Sequence, residues 1–178
     1  MKDLKEFNIP FIGLKEGSHL FEYQIDNKFF EVFKFDEFNN TNVNATLQFT
    51  KKSYLFELLF TIKGDVTVPC DVTNELFKQP VNGDLNLIVK FGPEFNDEHD
   101  EILILPNEAY QINVAQHIYE LIILSVPTKR VHPKVTDGSM QSDTLQKLNE
   151  LRINEEKPVE QDSTDPRWDK LKDLLTDK

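Results

Sequence analysis

From residue 7 to about residue 91 the chain alternates short apolar runs, rich in Phe, Ile, Val, Leu and Thr, with clusters of Gly, Asn and Asp. That is the pattern of consecutive short strands and turns. Strands are expected at 9–15, 19–25, 43–51, 54–63, 65–70 and 84–91. The clearest alternation sets Ala45, Leu47 and Phe49 against Asn44, Thr46 and Gln48, as in a strand with one wet face. Lys51-Lys52-Ser53 and Gly64-Asp65 read as hairpin turns. Two short helical pieces are expected at 27–35 and 71–77, a solvated acidic loop at 92–101, and a further strand at 102–105, closed by Pro106.

The strongest helix signal lies at 114–125. Asn113 is a good N-cap and Gln116 stands three residues on, the arrangement of a capping box. Val114, Ile118, Leu121 and Ile122 share one stripe, Tyr119 and Ile123 widen it, and Pro127 stops the helix. Such a helix is expected to be buried on most sides and to cover the sheet. The fold class expected is therefore α+β: a mainly antiparallel, curved or partly closed sheet with one buried helix and a C-terminal helical tail.

After Pro127 aliphatic density drops, which divides the chain into a β-rich core domain, 1–134, and an acidic tail, 135–178. Two short amphipathic helices are expected in the tail. The first is capped by Asp143, with Gln146 behind it and Leu145, Leu148 and Leu151 on its face. The second has Asp165 as cap, Pro166 at its first position and Trp168, Leu171, Leu174 and Leu175 on its face. Residues 154–162, NEEKPVEQD, have the composition of a linker.

Composition sharpens this picture. A chain of 178 residues supports one core plus an appendage, and 14 phenylalanines give that core an unusually aromatic filling. The formal net charge of −11 repels phosphate backbones unless cations gather on one face, so bulk electrostatics favours a basic partner over naked nucleic acid. No stretch reads as a signal sequence and no run of about 18 apolar residues occurs, so a cytoplasmic protein that neither enters nor crosses a membrane is expected. Cys70 stands alone, which rules out an intrachain disulfide.

Catalytic chemistry finds no anchor. The four histidines, at 19, 99, 117 and 132, fall on four different elements with no ligand spacing, and the acidic run Asp97, Glu98, His99, Asp100 and Glu101 lacks the glycine pivot of a calcium loop. There is no G-x-S-x-G elbow, phosphate-binding loop or G-x-G-x-x-G, and Cys70 sits in the apolar context TVPCDV, as a buried thiol would. A protein that binds rather than catalyses is expected, with no cofactor, no metal and no small-molecule substrate. One exception to the acidity is TKRVHPK at 128–134, where Lys129, Arg130, His132 and Lys134 can grip phosphate or can simply line an ordinary surface loop. The Trp168 face of the last helix must bury on the sheet or on a partner.

Three stretches resemble the YceD family, bacterial and plastid proteins associated with accumulation of large-subunit ribosomal RNA. The first is Val68-Pro69-Cys70-Asp71-Val72-Thr73-Asn74-Glu75-Leu76-Phe77 with Gln79-Pro80-Val81, similar to the family's cysteine-centred segment. The second is Glu120-Leu121-Ile122-Ile123-Leu124-Ser125-Val126-Pro127 with Val131-His132-Pro133, similar to its apolar helix ending in proline with a histidine nearby. The third is Asp165-Pro166-Arg167-Trp168 with Leu171, similar to its C-terminal D-P-R signature. The opening, with Ile9-Pro10, Leu14 and Gly17, is similar as well. Many relatives carry a second cysteine where this chain has Thr73, so a zinc or redox role for a cysteine pair does not transfer and Cys70 is left with packing.

The resemblance implies a non-enzymatic ribosome-biogenesis factor, with large-subunit rRNA or a basic large-subunit ribosomal protein as partner. Direct RNA contact would use Lys129, Arg130, His132 and Lys134. A holdase-like grip on a basic protein would use the acidic residues 97–101 and the tail, with Asp165, Pro166, Arg167, Trp168 and Leu171 as the candidate contact. An acidic interaction module unrelated to RNA is the alternative.

Overall fold

A computed structural model of the protein describes residues 4–99, 101–140 and 142–151. The chain divides into two compact units, Met1–Gln141 and Ser142–Lys178. In the first, a single 3₁₀ turn at Lys5–Phe7 leads into β1 (Asn8–Pro10), β2 (Gly17–Ile25), α1 (Asn27–Val32), β3 (Asn40–Lys51), β4 (Phe56–Pro69), β5 (Leu76–Gly92), β6 (Asn96–His99), β7 (Ile102–Pro106), β8 (Gln111–Asn113), α2 (Ala115–Ser125) and α3 (Pro133–Thr136). The described part of the second unit is α4 (Asp143–Leu151). The fold is α+β, dominated by strands.

The main sheet has six strands in the order β2-β3-β4-β5-β7-β6, and β1 pairs with β8 in a separate two-stranded ribbon. The sheet is open, with β2 and β6 as its edges, so the expected closure does not occur. It is also mixed. β5 and β7 run parallel, from Ile88 beside Ile102 to Gly92 beside Pro106, while the other neighbours are antiparallel. The chain leaves β5, skips one position to lay down β6, and returns through the gap as β7. This turns a hairpin-sized connection into a parallel pair.

Period-2 alternation places the core. Thr41, Val43, Ala45, Leu47 and Phe49 of β3 and Phe56, Leu58, Phe60, Ile62, Val66 and Val68 of β4 turn to the same buried side. Asn42, Asn44 and Gln48 face solvent. Phenylalanines knit the buried face together: Phe11 lies 5.0 Å from Phe56 and 5.8 Å from Phe91, and Phe7 stacks on Tyr23 at 4.9 Å between ring centres. The ring of Phe33, just after α1, stacks on Tyr119 of α2 at 4.2 Å.

Several local expectations are corrected. Gly64-Asp65 is not a turn, because β4 runs through it and Gly64 pairs with Val43. A Cβ at Gly64 would stand 2.2 Å from the Asn42 carbonyl oxygen, so glycine there permits a close strand approach rather than a bend. Residues 71–77 make a turn and the start of β5 instead of a helix, with Phe77 buried opposite Val68. The acidic loop contains a strand, β6, as the outer member of a hairpin with β7.

The predicted helix at 114–125 is α2, and it packs on β4 and β5. Its exposed positions form a single stripe, Gln116, Glu120 and Leu124. Ala115, Ile118, Leu121 and Ile122 form one buried face, while Leu124 is 83% exposed. The N-cap is Val114, one residue later than expected and without a side-chain cap; Asn113 Oδ1 accepts from the Ala115 amide at 3.0 Å just ahead of it, and Gln116 donates to Glu120 instead of closing a capping box. α4 is capped one residue earlier than expected, by Ser142, whose Oγ accepts from the Leu145 amide. The second tail helix lies outside the described residues.

Candidate binding surfaces

At the far end of β4, Pro69 stops the ladder and residues 70–75 fold into a tight turn. The Cys70 amide donates to the Glu75 carbonyl at 2.9 Å and the Asn74 amide to the Cys70 carbonyl at 2.8 Å. Asn74 takes the left-handed conformation, φ 59°, which asparagine tolerates better than most residues. Against this turn lies the segment that follows α2. The Asp71 amide donates to the Arg130 carbonyl at 2.8 Å, and the Arg130 amide donates back to Asp71 Oδ2 at 2.6 Å. Two chain segments 59 positions apart are thereby fastened together.

The four candidate phosphate ligands divide on this corner. The Arg130 guanidinium lies 3.4 Å from Glu37 Oε2 and 3.8 Å from Asp71 Oδ1, with its side chain 25% exposed, so its charge is already matched at home. His132 packs its ring 5.3 Å from that of Phe77, and its Nδ1 accepts from the Lys134 amide at 3.0 Å to cap α3. Lys129 and Lys134 are exposed. The loop thus holds four candidates in sequence but spends two of them on its own scaffold.

Cys70 is buried, yet its sulfur is not a mere filler. The His132 amide donates to Sγ at 3.3 Å. Burial pushes the thiol pKa up; hydrogen bonds from the Thr73 hydroxyl and from the His132, Val72 and Thr73 amides outweigh this and bring it below the usual thiol range. Thr73 thus lies on the same turn with its hydroxyl toward the sulfur. Among the described residues no cluster of three or more His, Cys, Asp or Glu is arranged to hold a metal.

A second surface lies beside α2. A groove of about 800 Å³ has Leu85 and Leu87 of β5 and Leu103 and Leu105 of β7 at its floor, and Leu121 and Leu124 of α2 along one wall. Asp97 of β6 and Glu120 of α2 stand on its lining with His117. The His117 ring stacks 5.9 Å from Phe60, and its Nδ1 is buried with no hydrogen-bond partner. Burial lowers its pKa below that of a free histidine, while Glu120 and Asp97 pull the other way. The sequence points to His117 only as a candidate metal ligand and to Asp97 as part of the acidic run 97–101 that could meet a basic protein; it does not bring the two together. Phe95, Asp97 and His99 all line the groove, although β6 carries an irregularity between Asn96 and His99 that no sequence pattern announces.

Comparison with known proteins bears on both surfaces. The family model described as "Large ribosomal RNA subunit accumulation protein YceD" matches residues 58–175, well over half of the chain. The chain belongs to the YceD family. No curated protein and no solved structure gives a significant match. The YceD match begins inside β4, so it takes in the Cys70 turn, the groove floor, α2, the 128–134 loop and the residues beyond α4. Membership links the chain to accumulation of large-subunit ribosomal RNA. The segment of Asp165, Pro166, Arg167, Trp168 and Leu171 falls within the match but outside the described residues. No helix among the described residues is long and apolar enough to cross a membrane.

Proposed function

We propose that this YceD protein supports accumulation of large-subunit rRNA in the cytoplasm without catalysing a reaction, by binding a basic large-subunit ribosomal protein. The observation that carries this reading is the fate of Arg130. The central cation of the 128–134 loop is engaged by Glu37 and Asp71, so the local exception to a net charge of −11 is reduced within the fold to the exposed Lys129 and Lys134. A surface of that sign attracts a cationic chain and repels a phosphate backbone. Ribosomal proteins must carry many cations to bind rRNA, and an acidic partner can hold such a chain until it is delivered. The tail contact at Asp165, Pro166, Arg167, Trp168 and Leu171 belongs to the same reading.

Direct rRNA contact is the second reading, favoured by the exposure of Lys129 and Lys134. Capture of the tagged protein from cells, with co-purifying RNA and protein both identified, separates the two. A basic large-subunit ribosomal protein retained without rRNA is the expected result. Large-subunit rRNA retained after high-salt washing, and lost on Lys129→Ala with Lys134→Ala, establishes the second reading instead. Retention of neither removes both.

A further inference from the structure

An α-helix is about 10 Å across and neighbouring strands lie about 4.8 Å apart, so one helix covers roughly two strands of a sheet. α2 is placed over β4 and β5 of a six-stranded sheet. On the β2 and β3 side the buried face is covered by aromatic packing, as where Phe7 stacks on Tyr23. On the β7 and β6 side a trough is left beside α2, the groove of about 800 Å³. Its apolar lining reaches solvent on both sides, with Leu124 on α2 83% exposed and Phe95, just before β6, 56% exposed. Apolar side chains brought to the mouth of a groove mark an interaction site rather than ordinary surface.

The charges on that lining select the partner. Asp97 and Glu120 are carboxylates, Lys5 is the one ammonium, and neither carboxylate forms an ion pair among the described residues. Glu120 stands on α2, three residues after His117, and Asp97 on β6, and both favour the charged form of His117. Burial holds His117 neutral near pH 7, which leaves the carboxylates uncompensated by it.

Resting on the basic-partner reading above, we propose that this groove receives an amphipathic helix of the basic protein. Its apolar stripe lies on Leu85, Leu105 and Leu124, and one lysine or arginine is set between Asp97 and Glu120. This places the partner's helix antiparallel or parallel to α2 in the manner of helix-in-groove recognition. The apolar contact supplies affinity, and the paired carboxylates reject helices with acidic flanks.

The probe is a fluorescent peptide of about 15 residues, long enough for four helical turns, with a leucine stripe flanked by arginines. A second peptide has glutamates in place of the arginines. Both are titrated by fluorescence anisotropy against the full-length protein. Saturable binding of the arginine peptide alone is expected. Leu124→Asp, at a position too exposed to disturb the fold, should weaken it by about tenfold or more. Asp97→Asn combined with Glu120→Gln should weaken it and flatten its salt dependence. No saturable binding at millimolar peptide, equal binding of the two peptides, or insensitivity to Leu124→Asp overturns the proposal. So does tighter binding after Trp168→Ala with Leu171→Ala, which assigns the groove to the chain's own tail. If cells still yield the basic ribosomal protein with the Leu124→Asp variant, the groove is refuted and the basic-partner reading survives. If wild-type capture yields rRNA alone, that reading fails first.

Discussion

The Cys70 corner and the groove beside α2 stand on the same sheet and treat polar groups in opposite ways. At the corner, Asp71 answers both the amide and the side chain of Arg130, the His132 amide finds a sulfur, and Glu37 supplies the second carboxylate. In the groove, His117 Nδ1 has no partner, and Asp97 and Glu120 form no ion pair among the described residues. A satisfied polar network stabilises a fold and has little left to offer a ligand. Only His117 Nδ1 is an unpartnered buried atom in the groove and costs stability; Asp97 and Glu120 are exposed, Glu120 accepting from Gln116, and their charges stay available to a cationic ligand. A concentration of cations in the sequence was thus the weaker guide to a binding surface, because it took no account of who neutralises them.

The comparison can be broken at several strengths. Gly64→Ala should have the largest effect, because its methyl meets the β3 backbone at Asn42 and Val43. A loss of about 3 kcal/mol is expected, at the upper end for overpacking, read as a fall in denaturant midpoint. Asp71→Ala should cost about 1–2 kcal/mol, since the Arg130 amide and guanidinium both lose a partner. If the corner is instead a surface loop of no structural weight, the same change is silent. Cys70→Ala should cost about 1 kcal/mol, from lost packing and an amide of His132 left without its sulfur.

The groove side gives smaller stability effects and a distinctive pH response. His117 has its pKa lowered in the fold, so its contribution to stability is fully present above about pH 6.5 and is lost as pH falls through the folded value. The denaturant midpoint should therefore drop on the acid side, and His117→Phe should flatten that part of the drop. Leu124→Asp should change stability least, by under about 0.5 kcal/mol, because the side chain is 83% exposed. A large loss there would mean that Leu124 is covered in the native protein and would erase the contrast between the regions.

How much of this was legible depends on distance along the chain. The alternation in β3 and the first part of β4, the apolar stripe of α2 and its stop before Pro127 are local patterns, readable because burial imposes a period of 2 or 3.6 on whatever segment it touches. The stretches around Cys70, after Glu120 and at Asp165 that resemble the YceD family were readable as short strings in a set order, and all three lie within the matched residues 58–175. Gly64 misled because a glycine that allows two strands to approach looks, in sequence, like one that allows a turn. β6 was missed because an edge strand can be acidic on both faces, at Asp97 and Glu98, and its partner β7 supplies the apolar signal alone.

What the tertiary structure alone decided is which groups meet. Glu37 is 93 positions from Arg130 in the chain, and Asp97 comes to the same groove as Glu120 only because β6 lies outside β7. Pattern along a chain records whether each residue is inside or outside, since that preference is written in the side chain itself. Which charge is cancelled, and which carboxylate pair is left facing an open trough, depends on the order of strands in the sheet and on how much of it one helix can cover.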